Sequence, residues 1–299
     1  MRIRATNTVG LRAAVAVVAL AVSGCGSQRD GDAGADAEGV AHHARQVAAA
    51  WDRSTAADAW RAGYHPMGEV TQQPRGGLRS KADEQAYRDH SFILRGELPA
   101  TWPRNGEVAW VDGGSLERPL AGAEDAYKSL SNGGAGGKPH LTVIGAKLST
   151  MKLATSRGPA TVPAWLFTLD GYTSPLKRAA VTPSKLPSSP IGRASGDVPV
   201  QAWDGLVDVA GDGRSVTVVA LHGVCDDDPA VEVLETPFSV VLSSWVKQRK
   251  GGDNCTKQAK LQQVTVELDR PVGDRVLLDA KTGQPIPYNP PHGPSPSWS

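Results

Sequence analysis

The sequence predicts an α+β protein: an N-terminal helix packed on an antiparallel sheet, followed by a small all-β, disulfide-tied domain. Three observations lead there. Val40, Ala44, Val47 and Trp51 fall at i, i+4, i+7 and i+11, one face of a helix. Two β-prone runs flank the turn sequence Ser156-Arg157-Gly158-Pro159, the pattern of a long hairpin. Beyond residue 200 short apolar runs alternate with turns, and Cys225 and Cys255 lie among them.

The helical face starts near residue 39, and a second helix begins at Ser54 or Thr55, either of which can cap it. Gly63 suits its end and Pro66 forbids continuation, so residues 39–63 are helical with a bend near Arg53. Residues 81–88 read as a short helix, 91–98 and 106–112 as strands, and 121–130 as a helix. Residues 131–139, with four glycines, read as a loop. The hairpin then spans 141–171, and both faces of its second strand are apolar, so both should be covered. A further strand follows at 177–181.

These elements make an α+β domain over residues 39–182. Residues 183–200 are rich in Pro and small polar residues and read as a linker. A β domain covers 201–286, with strands expected at 216–221, 231–234, 238–246, 264–268 and 276–278. The tail, 287–299, is Pro-rich and aperiodic and reads as disordered.

The N-terminus has a different character. Arg2, Arg4 and Arg12 precede an apolar run over residues 13–22 that stops at Gly24-Cys25. That run is about half of the roughly 20 residues a membrane-spanning helix needs. A basic start, a short apolar run and small residues at its end describe a secretory signal. Val22-Ser23-Gly24-Cys25 resembles the bacterial lipobox. The resemblance implies that the Cys25 thiol receives a diacylglyceryl group and that cleavage occurs just before it. An ordinary secreted protein with a chance Cys is the rival reading. Two acyl chains hold a protein stably to a bilayer where one binds marginally. The expected location is therefore the extracytoplasmic face of the cell membrane. Residues 25–38, Gly-, Asp- and Ala-rich, read as a flexible tether.

Composition excludes some classes. Lys and Arg number 32 against 31 Asp and Glu, and removal of residues 1–24 takes away three Arg and no acid. The remainder is slightly acidic, which speaks against a nucleic-acid partner. Trp outnumbers Phe eight to three, as core anchors or as ligand platforms. With Cys25 acylated, Cys225 and Cys255 form an even pair in an oxidising compartment, and a disulfide is expected between them. A metal pair is the rival, without a CxxC to support it; a Cys nucleophile is a further alternative.

The chain holds several fragments of chemical motifs. Ser149 and Lys152 match S-x-x-K, and Lys281-Thr282-Gly283 matches K-T-G, both elements of serine enzymes that act on β-lactams. Ser149 lies in a strand pattern, where residues three apart face opposite ways, and the S-D-N element is missing. Asp226, Asp227 and Asp228 put three carboxylates in one turn and form a weak metal candidate, lacking regular ligand spacing. His222 is the one histidine near Cys225 and these acids. No nucleotide-binding glycine pattern, hydrolase elbow or zinc-protease helix occurs. No catalytic residue, cofactor or cofactor-binding residue is assigned.

Four segments, residues 60–66, 155–169, 221–236 and 264–285, resemble stretches of a group of actinobacterial lipoproteins. That resemblance implies a location and a two-part body, and no activity. The expected function is a lipid-anchored, non-enzymatic binding protein with a protein or cell-wall partner and a membrane contact through its lipid. An extracytoplasmic cell-envelope hydrolase with a dispersed site is the alternative.

Overall fold

The computed structural model describes residues 29–111, 113–131, 139–196, 198–224, 226–246 and 258–289. The chain is mostly β, 41% strand against 16% helix, which overturns the α+β expectation. Four helices accompany thirteen strands in three sheets among the described residues.

The first half is built around the expected hairpin, β5 (Leu141–Thr155) and β6 (Gly158–Leu169). Gly158, at φ 91°, supplies the left-handed backbone at the tip. The outer edge of β6 is shared by two neighbours. β3 (Asn105–Trp110) pairs at Thr161 and Ala160, and β7 (Leu176–Ala179) pairs from Ala164 to Phe167. Pro163 sits between these two pairings. Its carbonyl accepts from the Ala180 N–H on that edge, so its missing N–H falls where one neighbour gives way to the next. β1 (Thr71–Gln72) extends the sheet beyond β7, β4 (Ser115–Pro119) beyond β3, and β2 (Phe92–Leu94) lies parallel to β5. Both faces of β6 are covered: Trp165, Phe167 and Leu169 belong to one cluster, Ala160, Val162 and Ala164 to another.

The second half holds two three-stranded sheets. One orders β12 (Ala259–Glu267), β9 (Ser215–Gly223) and β8 (Trp203–Val209). The other orders β10 (Ala230–Glu235), β11 (Ser239–Trp245) and β13 (Val276–Asp279), with β13 parallel to β11. Val216, Val218 and Ala220 of the first share one core with Val240, Leu242 and Leu277 of the second. The Trp203 indole donates to the Leu242 carbonyl across them at 3.1 Å. Glu235 and Arg275 form a nearly buried ion pair at 2.7 Å. No disulfide ties these sheets among the described residues, and the expected pair, Cys225 and Cys255, lies outside them.

The N-terminal helix, α1 (Arg29–Trp51), is the main departure from expectation. It does not lie on the seven-stranded sheet that follows it. Its apolar face packs instead on β10 and β11 in the second half. Ala44, Val47, Ala48 and Trp51 join Val240, Val241 and Leu278 in one core. Periodicity identifies a helix with one apolar face; it does not say which sheet receives that face. Three polar contacts fix the docking. His43 Nε2 lies 3.0 Å from the Ala280 carbonyl, the Trp51 indole donates to the Gly283 carbonyl at 2.8 Å, and Asp52 accepts from the Thr236 and Ser239 hydroxyls. The helix begins at Arg29, inside the segment read as a tether. Once the packed turns exist, upstream residues add one hydrogen bond each without a new nucleus, and alanine favours this.

α2 (Thr55–Ala62) is capped by Ser54, whose hydroxyl accepts from Ala57 N–H, and its Trp60 joins the same core. α3 (Lys81–Arg88) and α4 (Ala123–Lys128) flank the first sheet. Five tryptophans, Trp51, Trp60, Trp110, Trp165 and Trp203, are buried, which favours the anchor reading over the ligand platform. The segment over 183–200 is attached to the body at separate points. Ser184 N–H donates to Tyr64 O, Ala194 N–H to Lys281 O, and Val200 is buried.

Truncation of Trp51 should therefore weaken the second half. Trp51→Ala is expected to cost about 3–5 kcal/mol. Trp51→Phe keeps most of the packing and removes one of two hydrogen bonds to the Gly283 carbonyl, which still accepts from the Ser189 hydroxyl, for about 0.5–1.5 kcal/mol. Urea unfolding followed by fluorescence measures both; equal stability of Trp51→Phe and parent would show that the hydrogen bond contributes nothing.

Candidate binding cleft

A cleft of about 400 Å³ opens between the two halves. Its walls come from five places in the chain: Glu69 to Gln73 around β1, the end of α3 with Tyr87, Arg88 and His90, the end of α4 with Ser129 and Leu130, Arg178 on β7, and Tyr288-Asn289 after the last strand.

Local structure explains each wall. β1 pairs with β7 in a register that sets Thr71 opposite Arg178, and the Arg178 guanidinium donates to Thr71 Oγ1 at 2.7 Å. α3 starts at Ser80, whose hydroxyl accepts from Asp83 N–H. It ends with Ser91 N–H reaching Ala86 O and His90 N–H reaching Tyr87 O. That arrangement puts its left-handed residue where glycine is usual, and here it is His90, at φ 53°. The turn brings the imidazole Nδ1 to 3.1 Å from the Leu130 carbonyl at the end of α4. Phe92 meets Tyr87 edge-on at 6.3 Å and forms an apolar part of the floor. Tyr288 is positioned by the second half: Leu206 N–H donates to Pro287 O and Asn289 N–H to Leu206 O.

The electrostatics of the cleft are mixed. Burial, with the charges of Glu69 and Asp208 and the neighbouring Tyr87, pushes the Tyr288 phenol up to about 12. Burial also raises Tyr87, reinforced by Glu69 and opposed by Arg178. Both hydroxyls therefore stay protonated at neutral pH and can donate. Burial lowers Arg178 from its ordinary value, though nowhere near enough to discharge a guanidinium at neutral pH.

The residues singled out from sequence lie elsewhere. Ser149 and Lys152 sit on β5, both exposed, opposite Ala164 and Thr161. Lys281-Thr282-Gly283 is a turn closed by Asp279, which accepts from Lys281 N–H and Thr282 Oγ1. Its Gly283 has φ 64°, and its carbonyl receives Trp51. Asp226 Oδ2 accepts from Gly223 N–H, so that carboxylate closes a turn. Among the described residues no group of three or more His, Cys, Asp or Glu is gathered to hold a metal. His222 is buried on β9, and neither ring nitrogen has a partner among the described residues. Cys25, Cys225 and Cys255 lie outside the described residues. Sequence reading missed Glu69, Tyr87, His90, Arg178 and Tyr288. Only the Tyr87–His90 stretch carried a usable signal, a helix ending without glycine.

No protein-family model, curated protein or solved structure matches the chain. Among the described residues no helix is long and apolar enough to cross a membrane.

Outside the cleft, His65 stacks on Trp60 at 4.2 Å and 7° and is 4% exposed. Its Nε2 has no partner. Burial first, and Arg118 second, lower its pKa from 6.5 to about 4. The unfolded chain takes up this proton below about 6.5, whereas the folded one refuses it until about 4. The stability contribution is thus complete above 6.5 and is lost as pH falls toward 4, up to about 3 kcal/mol for a shift of this size. His65→Phe, which retains the stacking, should flatten the loss across that window. Urea midpoints measured from pH 7 to 4 check it; parallel curves for parent and variant would remove His65 as the cause.

Proposed function

We propose that this protein is a lipid-anchored lipoprotein of the extracytoplasmic membrane face that binds a small ligand in the cleft between its halves. The observation that carries the location is Val22-Ser23-Gly24-Cys25 at the end of a short apolar run. Diacylglyceryl on Cys25 moors the body to the lipid and leaves it in water. The resemblance to actinobacterial lipoproteins belongs to the same reading. The binding role is supported by the cleft, which combines an apolar floor with a few polar groups from separated parts of the chain.

The hydrolase alternative has one observation on its side: Ser129 and His90 line the same cleft. The Ser129 hydroxyl, however, donates to Ala126 O at 2.6 Å, and His90 Nδ1 faces Leu130 O. A nucleophilic serine gives its proton to a base, not to its own helix. Binding without chemistry is the better reading.

Cell fractionation tests the anchor. The parent chain is expected in the membrane fraction with an acylated Cys25 at its N-terminus by mass spectrometry. Cys25→Ala is expected in the medium or the soluble fraction. Retention of Cys25→Ala in the membrane would refute a lipid anchor at that residue.

A further inference from the structure

We propose that the cleft is a site for a small zwitterion, an amino acid or short peptide, with its carboxylate on Arg178 and its ammonium on Glu69. This rests on the binding role given to the cleft above and names its ligand class.

The argument starts from charge. Glu69 and Arg178 line one cleft, and among the described residues neither forms an ion pair. Arg178 spends one N–H on Thr71, which fixes the guanidinium against β1 and leaves its other donors for a ligand. A planar, permanently charged fork with no carboxylate partner is the group best matched to a ligand carboxylate. Glu69 is exposed, an acceptor with no cation paired to it among the described residues. Tyr87 lines the same cleft as both charges. The cleft therefore sets Glu69 and Arg178 in one lining, together with a second cation, Arg88, that is already paired with Glu84 at 4.0 Å. A ligand bearing one charge would satisfy one of Glu69 and Arg178 and leave or repel the other; a ligand bearing both satisfies each.

The remaining surfaces agree with that size and chemistry. Phe92 and Leu130 give the floor an apolar character suited to a small side chain, and Tyr87 and Tyr288 offer protonated hydroxyls to a peptide carbonyl. A volume of about 400 Å³ accommodates an amino acid or a short peptide.

Calorimetric titration of the full, detergent-solubilised chain at pH 7 tests this with L-alanyl-L-alanine, its N-acetylated form and its C-amidated form. The unblocked dipeptide is expected to bind, and each block to weaken binding by about tenfold or more, the worth of a charge-assisted hydrogen bond. Glu69→Gln should remove the penalty for N-acetylation and keep that for amidation; Arg178→Gln should do the reverse. Should either variant unfold, the three ligand forms on the parent chain decide alone. No binding of the unblocked dipeptide, or equal binding of all three forms, overturns the zwitterion site. Maltose is run beside them: its binding in place of the dipeptide would sink this inference while leaving the cleft a binding site.

Discussion

The docking of α1 on the second-half sheet is the constraint from which the rest of the structure follows. A lone helix of this composition is marginal in water, because nucleation is costly and little apolar surface is covered. Here Val47 and Trp51 are fully buried against strands that lie some 190 residues further along the chain. Trp51 also closes a hydrogen bond to Gly283, so the turn Asp279–Gly283 must hold its shape for the helix to seat. Asp279 holds it with two hydrogen bonds inward. A sequence fragment reminiscent of an enzyme motif is thus accounted for by packing.

The cleft depends on the same arrangement. Its floor and one wall belong to the first sheet, and Tyr288 comes from the strand-like passage that crosses Leu206. Because α1 and α2 place their buried side chains in the second core while the chain continues into the first sheet, the halves are bound at both ends of the second one. Trp60 sits in that core, and His65, stacked on it, gives its backbone carbonyl to Ser156 at the hairpin tip. The hairpin tip is held to the second body through this contact, and the cleft walls combine strand residues, Thr71, Phe92 and Arg178, with turn and loop residues such as Glu69, His90 and Leu130.

Local pattern revealed most elements and little of their assembly. Residues 81–88 read correctly as a helix because Ser80 caps and Arg88 closes it, and the hairpin read correctly because its two runs are long and its turn is polar. β1, β4 and β8 were not legible. β1 has only two residues, and β8 carries a Gly and two Asp that blur its alternation. The partner of α1 was illegible for a deeper reason: an apolar face records that it must be covered and not by what. The cleft was hidden for the same cause. Glu69, Arg178 and Tyr288 are ordinary residues in ordinary segments until pairing of β1 with β7 and the Leu206 crossing bring them together.

The seating of the first helix on late strands also sets an order of events. A contact between residues 51 and 283 closes nearly the whole chain, which makes it slow to form and leaves nothing local to hurry it. While the ribosome is still working, the opening helix has no home, and the body it completes cannot lock. The second core stays open until its last strands exist, so the helix made first is the piece seated last.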